Sequence, residues 1–153
     1  MSAPAIATGR QWPEDLDRLL HALPEWFGIE QSIAEYVAAA RALPTVAALL
    51  DGAVVGLCVV RRHNDATAEI EVLAVDRTRQ RTGIGRALLD AVERDARTDR
   101  VRLLEVKTRG PSGRSPEYER TRAFYEAVGF LPLEERTDIW GSENPCLIMV
   151  KPL

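Results

Sequence analysis

Apolar residues recur along this chain at two spacings, and each change of spacing marks the edge of an element. Over "PEDLDRLLHAL", Leu16, Leu19, Leu20 and Leu23 fall three and four residues apart, the period of one helix face. "EQSIAEYVAAARAL" repeats the pattern with Ile33, Tyr36, Val37, Ala40 and Leu43, and Pro44 ends it. After Gly83 a third helix carries Ile84, Leu88, Ala91 and Val92 on one face. The remaining apolar runs are short and rich in β-formers. "PAIAT" reads as a short first strand. "TVAALL" and "AVVGLCVVRR" form a hairpin around Asp51-Gly52. "TAEIEVLAV", "VRLLEVKT", "LPLEER" and "CLIMVKPL" complete the strands. "GPSGRSPEYERTRAFYEAVGF" is a loop and then a helix, with Ser115 as N-cap, Pro116 at the first helical position and Gly129 at the C-terminal cap. The order β-αα-βββ-α-β-α-ββ predicts an α/β (α+β) fold: a mixed, largely antiparallel sheet of six to seven strands flanked by helices.

Composition narrows the class. A chain of 153 residues suits one domain over 1–153 with one substantial core. With 46% hydrophobic and 28% charged residues it has the make-up of an ordinary soluble globular protein. The net charge of −3 argues against nucleic acid or an anionic membrane as a partner. No apolar run approaches the length of a membrane span, and "MSAPAIATGR" lacks the basic region and apolar stretch of a secretory signal, so the cytoplasm is the expected location. Cys58 and Cys146 lie in apolar strand-like runs with no Cys/His zinc spacing, which predicts buried free thiols and no metal. His21 and His63 have no partner that can be read from the sequence.

The chemistry concentrates in "RQRTGIGRALLD", where a strand runs into a helix. No G-x-x-x-x-G-K-[ST] string exists in the chain, which argues against a nucleotide triphosphatase. A dinucleotide fingerprint would need a third glycine where Leu88 stands. What remains is a site for a bulky anion. Gly83 and Gly85 let the backbone approach it. Unpaired N–H groups from about Arg81 to Arg86, and the helix dipole, favour negative charge. Arg77, Arg79, Arg81 and Arg86 can add charge-assisted contacts.

Gln80-Arg81-Thr82-Gly83-Ile84-Gly85, following Leu73-Ala74-Val75, resembles the pyrophosphate loop of the GNAT superfamily, the CoA-dependent N-acyltransferases. Some forty residues on, Phe124-Tyr125-Glu126-Ala127-Val128-Gly129-Phe130 is similar to that family's helix ending Phe-Tyr-x-x-x-Gly-Phe. The resemblance covers roughly residues 45 to 130 and extends more loosely to the end; the opening helices match only in kind. It implies acetyl-CoA as co-substrate. Gln80, Arg81, Thr82, Gly83, Ile84, Gly85 and Arg86 would hold the pyrophosphate, and the backbone at Leu73, Ala74 and Val75 would pair with the pantetheine arm. It implies Tyr125 as general acid for the departing thiolate; a phenol of pKa about 10 stays protonated at neutral pH and can do this. Phe124 would then fill the core while Tyr125, about 100° around the helix, faces the cleft. It places a carboxylate base at Glu69, and Glu71, one step closer to the loop, is the alternative; either could deprotonate the amine, through water. Tyr118 stands where many members carry a cofactor-contacting Asn, and its hydroxyl could replace that contact.

The acceptor implied is the primary amine of a small molecule. A protein or peptide N-terminus is the alternative acceptor, and a CoA-binding regulatory module without turnover is the alternative from another class. "PEWFGIE", Glu35 and Tyr36, "RGPSGRSPEYE" and "DIWGSENP" with Trp140 would wall the acceptor cleft, or simply pack loops onto the core. Cys58 is rejected as an acyl carrier because a buried thiol has a raised pKa. The resemblance also implies a homodimer through the closing strands, and "CLIMVKPL" is apolar enough to allow it.

Overall fold

The alternating runs fold as strands and the three-and-four runs as helices, in the order read from the sequence. The computed structural model describes residues 3–153; Met1 and Ser2, part of the stretch read for a secretory signal, lie outside the described residues. The elements are β1 (Ala5–Ala7), α1 (Pro13–His21), α2 (Glu30–Ala40), β2 (Thr45–Leu50), β3 (Ala53–Arg62), β4 (Thr67–Val75), α3 (Ile84–Thr98), β5 (Leu103–Arg109), α4 (Pro116–Ala127), β6 (Leu131–Arg136) and β7 (Cys146–Pro152). Short 3-10 turns at Arg77–Arg79 and Pro111–Gly113 lead into α3 and α4. The seven strands follow the order β1-β2-β3-β4-β5-β7-β6 in one sheet. Pairs β1–β2, β2–β3, β5–β7 and β6–β7 are antiparallel. α2 stops at Ala40, three residues before the apolar pattern does. The amides of Arg41 and Ala42 bond three residues back, to Ala38 and Ala39, which tightens the last turn. Leu43, preceding a proline, is also biased away from the helical region.

The chain divides into two compact units, Met1–Arg61 with Ile70–Asp99, and Arg62–Glu69 with Arg100–Leu153. In the first, α1 buries Leu16, Leu19 and Leu20 against Ile33 and Ala40 of α2, Leu57 and Val59 of β3, and Val72 and Ala74 of β4. Each such leucine contributes about 2 kcal/mol. The β2–β3 hairpin turns on Asp51 (φ 50°) and Gly52 (φ 81°), the two left-handed residues that a tight hairpin turn of matching twist requires. α3 buries Ile84, Leu88, Leu89, Ala91, Val92 and Ala96. It approaches β3 closely at Gly56, where a Cβ would stand 2.9 Å from Ile84 Cγ2 and 3.1 Å from Leu88 Cδ1. That missing side chain lets the first turn of α3 sit down on the sheet.

In the second unit, β5 and β7 pair along their full lengths, from Leu103 opposite Pro152 to Arg109 opposite Cys146. Along β5, Leu104, Val106 and Thr108 are buried, while Leu103, Glu105, Lys107 and Arg109 between them are half-buried, the alternation of a pleated strand. α4 packs against β5. It starts as expected, with Ser115 Oγ accepting from the Tyr118 amide at 3.4 Å and Pro116 in the first turn.

Candidate active site

β4 ends at Val75, and the turn that follows is built by its own polar groups. The Asp76 amide donates to the Val55 carbonyl at 2.8 Å. Its carboxylate accepts from the Thr78 hydroxyl at 2.7 Å and the Thr78 amide at 2.9 Å, and these bonds hold its pKa below the usual carboxylate range. Gln80 Nε2 donates back to the Val75 carbonyl at 3.4 Å, and the Thr82 hydroxyl donates to the Arg79 carbonyl. Arg81 (φ 62°) and Gly83 (φ 88°) are left-handed. Gly83 holds that conformation without a Cβ penalty, whereas Arg81 bears about 1 kcal/mol of strain.

Gly83 is the N-cap of α3, and no side chain caps the first turn. Its carbonyl accepts from the Ala87 amide at 3.0 Å, so Ile84, Gly85 and Arg86 supply the first-turn N–H groups that no carbonyl one turn back can reach. The start lies slightly later than the span from about Arg81 that the sequence suggested. A Cβ on Gly83 would find nothing within 4 Å, so the space over the turn is open. Arg81 and Arg86 are exposed and pair with no carboxylate among the described residues. Uncapped amides, a positive dipole end and two uncommitted guanidinium groups fit a pyrophosphate. Arg77 is different. It pairs with Glu25 at 2.5 Å and donates to the Ala22 carbonyl at 3.2 Å, tying the loop to the α1–α2 connection rather than offering its charge to a ligand.

On β4, Ala74 is buried and Leu73 and Val75 half-buried, with Glu69, Glu71, Leu73 and Val75 alternating onto one face. Neither carboxylate stands alone. Glu71 is held by Arg61, at 2.9 Å from Nε and 3.4 Å from Nη2. Glu69, only 8% exposed, takes His63 Nε2 on Oε1 at 2.7 Å and Lys107 Nζ on Oε2 at 2.9 Å. Glu105 joins the same cluster, 3.1 Å from Lys107 Nζ and 3.5 Å from His63 Nε2. Burial, the largest single influence, pulls the Lys107 pKa down, but the two carboxylates together hold it above its ordinary value.

The end of α4 corrects one expectation. Tyr125 is 5% exposed and is the buried residue of that helix, while Phe124 is half-buried, the reverse of the assignment made from helix geometry. The cause lies beyond the helix. Gly129 (φ 104°) reverses the chain, the Phe130 amide donates to the Tyr125 carbonyl at 2.9 Å and the Gly129 amide to the Glu126 carbonyl at 3.0 Å. These are the two bonds of a Schellman cap, and they fold Phe130 onto Tyr125 with ring centroids 5.3 Å apart. Phe124 lies 5.4 Å away on the other side of the sequence step. Tyr118 is half-buried in the first turn of α4.

Residues 9–130 match the Acetyltransferase (GNAT) family. The chain belongs to that family. No curated protein matches this GNAT chain in sequence. Solved structures do resemble it. A GNAT-family protein from Desulfovibrio desulfuricans superposes with a TM-score of 0.77 at 25% identity, over 97% of this chain and 99% of that one. A GNAT acetyltransferase from Elizabethkingia anophelis with acetyl-CoA bound gives 0.74 at 21% identity over 100% of both chains. An aminoglycoside 6'-N-acetyltransferase complexed with coenzyme A gives 0.75 at 18% identity, over 97% of this chain and 96% of that one.

In this GNAT protein three site-like residues escape a motif search: His63, Glu105 and Lys107. The signal was present but diffuse. Glu105 and Lys107 are two apart on a strand and so share a face, while His63 and Glu69 flank a tight turn. Only the pairing of β4 with β5 brings the two couples together. His63, Glu69 and Glu105 each offer a ligand atom, all within 4.8 Å of one another. A divalent ion there would have to displace the Lys107 ammonium from both carboxylates. Trp26, Phe27 and Tyr36, read as a cleft wall or as packing, are partly buried against the core of the first unit, with Phe27 and Tyr36 edge to face at 6.0 Å.

Proposed function

We propose that this GNAT protein moves an acetyl group from acetyl-CoA to the primary amine of a small molecule, by direct attack and without a covalent enzyme intermediate. The observation that carries the reading is the turn at 81–86. Its left-handed Gly83 opens an uncapped helix end into free space beside two uncommitted arginines, a donor set that suits a pyrophosphate. The family match supports the transfer chemistry.

Acetyl-CoA supplies the acetyl group as a thioester. In this reading the amides of Ile84, Gly85 and Arg86 hold its pyrophosphate, with Arg81 and Arg86 adding charge and Gln80 and Thr82 keeping the turn shaped. The β4 backbone at Leu73, Ala74 and Val75 takes the pantetheine amides, and Tyr118 replaces the Asn of many relatives. Tyr125 protonates the sulfur as the C–S bond breaks. Direct attack is favoured because neither thiol can serve as a carrier. Burial pushes Cys58 up to about 12 and, as the largest influence, Cys146 up to about 11, so neither is a thiolate at neutral pH. A small amine is the preferred acceptor. The aminoglycoside enzyme of like fold acts on such a compound, and among the described residues the carboxylates Glu69 and Glu105 already bind one primary ammonium, that of Lys107.

The test is release of free thiol from acetyl-CoA against a panel containing an aminoglycoside, a polyamine, an arylalkylamine and a peptide with a free α-amine. Release with one of the small amines, with the amide product identified by mass, is expected. Release with the peptide alone would move the acceptor to a protein N-terminus. CoA binding without release on any amine would make the chain a non-catalytic CoA-binding module.

A further inference from the structure

We propose that His63 is the group that takes the proton from the reacting amine, and that Glu69 acts through it as a positioning residue. The proposal rests on the acetyl-transfer reading above.

His63 is the first residue after β3, and its backbone is fixed. Its amide donates to the Thr67 carbonyl at 3.0 Å, while Asn64 Oδ1 accepts from the amides of Ala66 at 2.8 Å and Thr67 at 2.9 Å, so the turn at 63–67 is closed by its own bonds. The ring is fixed as well. Nε2 lies 2.7 Å from Glu69 Oε1 and 3.5 Å from Glu105 Oε2. Two carboxylates can only accept, so Nε2 carries the hydrogen and donates it. In the neutral ring Nδ1 then holds the lone pair, and it makes no hydrogen bond among the described residues. The His63 side chain is 37% exposed. Among the described residues it is the one member of the cluster that combines an unbonded ring nitrogen with access to solvent.

Glu69 is poorly suited to take the proton itself. Its side chain is 10% exposed, Oε1 is engaged by His63, and Oε2 is engaged by Lys107. Taking a proton would break a contact with a cation inside a half-buried cluster. Acting through His63 costs nothing of that kind. Glu69 holds the tautomer and stands beside the imidazolium as it forms, the logic of a base oriented by a third group. Lys107 in turn fixes Glu69 from the other side, with Glu105 beside both the His63 ring and the Lys107 ammonium.

The protons balance. His63 Nδ1 takes one proton from the substrate ammonium and passes it to solvent. The neutral amine nitrogen then bonds to the acetyl carbon, the C–S bond breaks, and the electron pair leaves on sulfur, which Tyr125 protonates. The second proton lost by nitrogen as the amide forms restores the Tyr125 phenol through solvent. The net release is one proton per turnover.

The experiment compares wild type with H63A, H63N and E69Q in the thiol-release assay, with CoA affinity and melting midpoint measured on each. H63A and H63N should lose about 100-fold in kcat with CoA affinity unchanged, the scale of a lost general base. Added imidazole should restore part of the H63A rate. E69Q should lose kcat by a smaller factor, about tenfold, and imidazole should not help it, because the ring is still there. H63N keeps a polar side chain at the turn, so a low rate with a native melt cannot be ascribed to unfolding. Wild-type kcat in H63A and H63N at every pH from about 6 to 9 would overturn the proposal. So would a large loss in E69Q with none in H63A, which would make Glu69 the direct acceptor. If wild type releases no thiol on any amine while binding CoA, the acetyl-transfer reading itself fails, an outcome distinct from both.

Discussion

The Phe130 amide donates to the Tyr125 carbonyl at 2.9 Å, and the same cap lays the Phe130 ring against the Tyr125 ring at a centroid distance of 5.3 Å. The Gly-Phe pair of the motif thus explains the Tyr before it. The glycine permits the left-handed turn, the phenylalanine closes it, and the tyrosine ring is held from outside its own helix. Tyr125→Phe keeps all of that packing. It should lower kcat about 100-fold while costing no more than about 1.5 kcal/mol, the scale of one lost hydroxyl hydrogen bond. Phe130→Ala should do the opposite first, costing about 3 kcal/mol or more in a denaturant melt. Full turnover in Tyr125→Phe at every pH would remove the acid role and leave Tyr125 as a core aromatic.

Gly83 offers a cleaner separation. Because a Cβ there meets nothing within 4 Å, Gly83→Ala clashes with no protein atom, and its stability cost is backbone strain alone, about 1 kcal/mol. If the turn holds a pyrophosphate, CoA affinity should fall roughly tenfold or more, and further with Gly83→Val. Calorimetric titration of CoA would check this. Unchanged affinity in both variants would disconnect the turn from the cofactor.

Gly56 lies on β3, outside every motif, yet it should matter to the same site. Ala there would press on Ile84 Cγ2 at 2.9 Å and on the Ala74 carbonyl at 3.4 Å, and only the side-chain end can yield readily. The first turn of α3 would have to shift. Gly56→Ala should cost about 1–3 kcal/mol and weaken CoA binding together, whereas a surface glycine such as Gly9 changed to Ala should spare CoA binding. A fall in stability with CoA affinity intact would show that the helix end tolerates the shift.

Why the loop and the cap were readable and the carboxylate cluster was not has a physical answer. Gly83, Gly85, Ser115, Pro116 and Gly129 act on their immediate neighbours, so local spacing states their role. Strand limits at β4 and β6 were legible because alternation and turn residues bound them closely. Glu69 is another matter. Alternation put it on the face shared with Leu73 and Val75, but its partners lie six residues before it on a turn and thirty-eight after it on β5. Strand order is a long-range property, and no local pattern encodes it. The exchange of burial between Phe124 and Tyr125 failed for a related reason: helix periodicity says nothing of what Phe130 brings from beyond the cap.

Asp76 gives a pH prediction with a definite sign. Its folded pKa is lowered, first by the Thr78 hydroxyl and then by the Thr78 amide. A carboxylate depressed on folding adds stability above its unfolded value of about 3.9, and that stability is lost as pH falls through the lower folded value. Asp76→Asn should therefore melt below wild type at pH 6 to 7, with the gap closing below about pH 4. A gap that stays constant down to pH 3 would mean the Thr78 bonds do not depend on the charge.

The two cysteines make a last prediction that also guards the thiol-release assay. Cys58 and Cys146 are fully buried, and burial raises them to about 12 and about 11. Only thiolate reacts at a useful rate with an aromatic disulfide reagent, and at pH 8 less than about one part in a thousand of either group would be thiolate even if the reagent could reach it. The native protein should therefore consume essentially no reagent over minutes, and two equivalents per chain once unfolded in guanidinium. Any thiol signal in the acetyl-CoA assay would then come from released CoA. Rapid reaction of one thiol in the native state would mean that a strand carrying it opens readily, and Cys58→Ser against Cys146→Ser would identify which of β3 and β7 does so.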